Sequence, residues 1–63
     1  MIKEYDKVRI KGNGIAGQVI DIYTVGGVTY YTVESEEKGV PGGRGDDDSW
    51  KLFNCTEEEL EKL

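Results

Sequence analysis

The chain has no histidine, one cysteine, one proline and no long apolar run. Each shortage closes off a class of function. Without histidine the usual zinc-ligand sets are incomplete and the commonest general base is missing. With Cys55 alone, no internal disulfide can form. No apolar stretch approaches the ~20 residues that a helix needs to span a bilayer. No glycine motif is followed by Lys-Ser or Lys-Thr, so a phosphate-binding loop is missing as well. The sequence therefore argues against an enzyme, a resident metal, a cofactor and a membrane span. A free thiol, with no secretory pattern in residues 1–11, leads us to expect a cytoplasmic protein.

What is present fits one small domain covering residues 1–63. A chain of 63 residues buries only about 60% of the surface its unfolded form exposes. Packing and good turns must supply its stability. The net charge of −5 is unevenly spread. Residues 1–11 carry Lys3, Lys7, Arg9 and Lys11 against Glu4 and Asp6, a net of +2. Residues 12–33 carry only Asp21, and residues 34–63 carry ten acidic against four basic side chains. One basic strand is thus followed by an acidic remainder, which nucleic acid as a whole would repel.

Alternation of polarity over residues 5–11 predicts a half-buried strand, with Val8 and Ile10 on one side and Lys7, Arg9 and Lys11 on the other. Gly12-Asn13-Gly14 marks a tight turn. Residues 15–24 are β-branched and aromatic and predict a second strand, either central or strongly bent, with Gly17 at a bulge or a close backbone approach. Val25-Gly26-Gly27-Val28 signals a hairpin into a third strand over residues 28–35. Residues 36–48 hold four glycines, the only proline and a charge cluster, and predict a long flexible acidic loop. Residues 49–53 return to strand character. Thr56 followed by Glu57, Glu58 and Glu59 has the form of a capping box. A short C-terminal helical turn is expected there, in preference to a 3₁₀ turn feeding a last strand. The fold class is all-β, about five short antiparallel strands. Closure into a small barrel is expected because closure removes unpaired edges.

Asp6-Lys7-Val8-Arg9-Ile10, the glycines from Gly12 to Gly17, Gln18-Val19-Ile20-Asp21-Ile22 and Tyr31-Thr32-Val33-Glu34 resemble the first half of small SH3-like barrels. KOW-type modules of ribosomal and transcription-elongation proteins share this cadence, as do short bacterial and phage-borne proteins of uncharacterised function. The likeness covers roughly residues 5–34. It implies an SH3-like barrel and leaves the ligand open. RNA-binding KOW modules are usually basic around the first loop, whereas residues 12–17 here hold no charge. Peptide-binding SH3 domains carry a long acidic loop after the first strand and an Ala-Leu-Tyr-Asp-Tyr element; here a tight Asn-Gly turn follows the first strand and that element is missing.

Six aromatics are more than so small a core can bury, and exposed Tyr and Trp are typical binding anchors. Tyr23 and Tyr30 flank the Gly26-Gly27 hairpin, and Trp50 ends the acidic loop. With Asp46, Asp47 and Asp48 they form the candidate binding set, expected to meet another protein with a basic surface. Tyr23 and Tyr30 could instead be a cross-strand pair shielding the sheet, Trp50 a core residue, and the three aspartates a solvated loop. A second reading has Lys7, Arg9 and Lys11 touching nucleic-acid phosphates while Tyr23 or Tyr30 stacks on a base. A third is an inhibitor of phage or mobile-element origin whose carboxylates mimic nucleic acid. Cys55 is expected to be a small buried residue, with a reactive thiol before a helix as the alternative.

Overall fold

The computed structural model describes residues 1–63. Five strands form one antiparallel sheet: β1 Lys7–Ile10, β2 Ala16–Val25, β3 Val28–Lys38, β4 Trp50–Thr56 and β5 Leu60–Lys62. Their order across the sheet is β4-β3-β2-β1-β5. The all-β expectation and the strand number hold, but closure does not. β4 and β5 are the two edges and do not pair with each other. Length explains this. β5 has three residues, which are spent pairing with Val8, Arg9 and Ile10. The outer side of β4 is already occupied by Arg44, which bridges to Leu52.

The core nevertheless draws on every strand. Val8 and Ile10 of β1, Val19 of β2, Tyr31 and Val33 of β3, Cys55 of β4 and Leu60 of β5 gather with Ile2. Val8, Val19 and Val33 are fully buried. Each such burial is worth about 1.5–3 kcal/mol, so deletions here are the ones a small domain tolerates least. The strand pattern of the sequence puts these residues on one face, as the alternation of β1 requires.

Gly17 lies near the start of β2, opposite Ser35 of β3. A Cβ there would collide with the Glu34 carbonyl oxygen and come within 2.7 Å of Val33 Cγ1. The close approach foreseen for Gly17 is therefore real, while the bulge sits between Val19 and Asp21. That extra residue accounts for the broken alternation of β2.

The C-terminal helical turn is corrected to a 3₁₀ turn over Glu57–Glu59, followed directly by β5. Leu60 decides the matter, since it is buried in the core and stands opposite Ile10 in strand register. Glu59 reaches back to the Thr56 N–H at 2.8 Å and to the Thr56 hydroxyl at 3.1 Å, closing a capping box around the turn. No helix is long and apolar enough to cross a membrane.

The expected loop over residues 36–48 is also corrected. β3 continues through Lys38, so the connection is shorter. It is tied to its surroundings as well. Gly39 N–H donates to the Ser49 carbonyl at 2.9 Å, and Arg44 and Leu52 exchange two backbone bonds of 2.8 and 2.9 Å. The glycines do bury something. A Cβ on Gly43 would stand 2.9 Å from Phe53 Cζ and 3.0 Å from Lys51 Cβ. Only glycine lets the loop lie this close to the ring and to the Lys51 stem.

Candidate functional site

The structure divides the expected binding set into two separate groups. Tyr23 and Tyr30 sit opposite each other near the tip of the β2–β3 hairpin. Trp50 pairs with Lys38 at the far end of β3. Tyr30 and Lys38 are eight positions apart on β3, roughly 26 Å at the usual rise per residue. The molecule measures 33 Å along its longest axis, so the groups occupy opposite ends. Asp46, Asp47 and Asp48 belong to the Trp50 end, because they immediately precede β4.

At the hairpin end the geometry follows from register. Tyr23 opposes Tyr30, and Val25 opposes Val28. Alternation along each strand puts these four side chains on one face. The tyrosine rings stack with centroids 5.6 Å apart and planes inclined by 25°. Val25 is 61% exposed and Val28 42%. The other face carries Thr24 and Thr29, joined by a 3.1 Å hydroxyl hydrogen bond. Gly26 and Gly27 close the turn with φ of 57° and 80°, the left-handed values a two-residue hairpin needs. The result is an apolar face with an aromatic floor and no covering element.

Acidic groups flank this face, though not the expected ones. Thr56 stands opposite Tyr30, and Glu57, Glu58 and Glu59 follow it at once. Asp21 lies two residues before Tyr23, and its carboxylate accepts a hydrogen bond from the Ile22 N–H at 3.0 Å.

At the Trp50 end the strand edge is the more enclosed, bridged by Arg44. Trp50 is 51% exposed, not core, and the Lys38 ammonium sits 4.3 Å from its ring centroid. One face of the ring thus already has a cation. Lys51 is almost wholly buried beneath the glycine loop, and its N–H donates to Ser35 Oγ at 2.9 Å. Asp46, Asp47 and Asp48 are all exposed. No pocket interrupts the surface, so faces and edges are what a partner can use.

The basic strand is partly neutralised by the fold. Lys7 forms an ion pair with Glu36 at 3.5 Å. Arg9 stands opposite Glu61 in the β1–β5 register. Lys62 pairs with Asp6 at 3.5 Å. Lys11 is exposed. A hydrogen bond from the Lys3 N–H, at 2.8 Å, chiefly holds the Asp6 carboxyl below its ordinary value, with Lys62 adding to it. Cys55 is buried in the core. Desolvation, and then the Glu59 carboxylate, push its thiol above its ordinary value, the opposite of what a reactive thiol requires.

Two features escaped the sequence reading. Tyr5 is 65% exposed and holds φ of 72°, a left-handed conformation uncommon for a tyrosine. Its N–H donates to Val19 at 2.7 Å, and its carbonyl accepts from Gln18. Nothing in the local sequence marks that turn. Val25 and Val28 were read only as flanks of a turn. Counting by two from Tyr23 and Tyr30 puts them on the same face. A scan of protein-family models, a search of curated proteins and a search of solved structures each returned no match.

Proposed function

We propose that this chain is a small SH3-like module that binds another protein through the outer face of its β2–β3 hairpin. The observation that carries this reading is one face of the hairpin that bears the stacked, half-buried Tyr23 and Tyr30 beside the exposed Val25 and Val28. Rigid aromatics beside aliphatic groups are the usual anchors of interfaces. Five strands in this order, with a 3₁₀ turn before the last, support the SH3-like resemblance, as an open version of that barrel. The partner carries a basic surface, matched to Asp21 and Glu57–Glu59. Electrostatics of this kind chiefly raise the association rate and fade with salt. A free, buried thiol is in keeping with a reducing cytoplasm.

Affinity capture with two variants tests the reading. Tyr30→Ala should lose the proteins that the unaltered chain retains, while Asp46→Asn, Asp47→Asn and Asp48→Asn combined should keep them. The reverse pattern would move the site to the Trp50 end.

A further inference from the structure

Residues 21–25 of β2 have β3 as their only strand partner, because β1 pairs no further along β2 than Gln18. The other sheet edges are guarded. Arg44 crosses the outer side of β4 at Leu52. β5 has only three residues, two of them charged. The β2 edge is flanked by the apolar hairpin face and carries one charged side chain, Asp21, whose carboxylate occupies the Ile22 N–H. The ion pairs of the molecule are Lys7–Glu36 and Lys62–Asp6, so Asp21, Glu57, Glu58 and Glu59 have no basic partner. No lysine or arginine lies between Gly12 and Val33. The hairpin end thus combines an unpaired backbone edge, an apolar aromatic face and uncompensated negative charge.

We propose that this edge receives an extended basic segment of the partner as an added antiparallel strand, an inference that rests on the hairpin-face reading above. The incoming backbone bonds to the open side of residues 21–25, as strand addition requires. Alternate side chains of that segment lie over Tyr23 and Val25. An arginine or lysine among them pairs with Asp21, releasing the Ile22 N–H, and packs its cation on the Tyr23 ring. Glu57–Glu59 follow β4, three strand spacings or about 14 Å across the sheet from the added strand, and add attraction at low salt. A second copy of this chain is disfavoured as the occupant, because it would bring the same uncompensated carboxylates together.

The test is an amide-shift and hydrogen-exchange titration of the full chain. The probes are a short peptide of alternating arginine and valine, its glutamate–valine counterpart, and a form of the basic peptide with prolines that cannot pair as a strand. The basic peptide should shift and protect the amides of residues 21–25. Prolines should weaken binding at least about tenfold, and Asp21→Asn should weaken it several-fold. The acidic peptide should leave the spectrum unchanged. If the proline form binds equally well, with shifts at Tyr23, Val25, Val28 and Tyr30, strand addition is wrong while the hairpin face stands. If the acidic peptide binds as well as the basic one, or neither binds, the basic-strand inference fails, and capture with Tyr30→Ala judges the face independently. If the edge amides shift with protein concentration alone, a second copy occupies the edge and the inference is overturned.

Discussion

At the Trp50 end of the sheet the strand edge is bridged and the ring holds a cation; at the Gly26-Gly27 end the β2 edge is open and Val25 and Val28 lie exposed. Around Trp50 the chain spends a glycine loop on β4, a bridge from Arg44 on its outer edge and the Lys38 cation on the indole. Around Tyr23 and Tyr30 the β2 edge meets only a two-residue turn and the Asp21 carboxylate, while the rings stack on each other. A domain this small has little apolar surface to leave exposed without consequence. The contrast teaches that protection and exposure are separately arranged; on the proposed reading, the open end is the one that meets a partner.

The glycines give the sharpest way to break this contrast. Gly43 has φ of 70° and its Cβ position is crowded by Phe53, Leu52 and Lys51, whereas nothing lies within 4 Å of a Cβ on Gly26 or Gly27. Gly43→Val should cost about 2–4 kcal/mol by denaturant unfolding, through both overpacking and backbone strain. Gly27→Ala should cost about 1 kcal/mol, through backbone conformation alone. Equal effects would mean that the loop does not press on β4.

Binding should show the opposite ranking. Tyr30→Ala should reduce affinity for the partner at least about tenfold while shifting stability by about 1 kcal/mol or less, since its ring is only half-buried. Glu57→Gln and Glu58→Gln together should weaken binding several-fold at low salt and flatten its salt dependence. Glu59 is kept in that variant because it closes the capping box. Trp50→Ala should leave affinity unchanged and cost about 0.5–1 kcal/mol of stability, mainly through the lost cation–π contact.

A smaller effect separates the shared core from both ends. The Cys55 thiol is raised, so the stability it contributes is complete below the ordinary thiol value and declines as pH climbs through the raised one. Cys55→Ala should flatten that alkaline decline in a pH series of unfolding curves. In the intact chain at neutral pH, thiol reagents should react with Cys55 more slowly than with a free cysteine in a peptide.

Much of the fold was legible because alternation is a local signal. Val8 and Ile10 announce β1, and Val25-Gly26-Gly27-Val28 announces the hairpin with its register. The strand after Glu59 was misjudged because its cause is distant: Leu60 is drawn into strand geometry by Ile10, fifty residues earlier in the chain. Openness of the sheet has a similar origin, since it depends on Arg44 capping β4. The aromatic pair was found from sequence, and the structure places it apart from Trp50 and Asp46–Asp48 along β3. Sequence shows which residues stand near a turn, not which end of a strand that turn occupies. The length of β3 through Lys38 is what drives the two groups apart.

Photo-cross-linking from two positions tests the contrast most directly. A photoreactive side chain at position 28 or at position 48, in otherwise unaltered chains, reports which end touches the partner in cell extract. The account predicts an adduct from position 28 that disappears with Tyr30→Ala, and none from position 48. An adduct from position 48 alone would contradict it and return the binding site to the acidic loop.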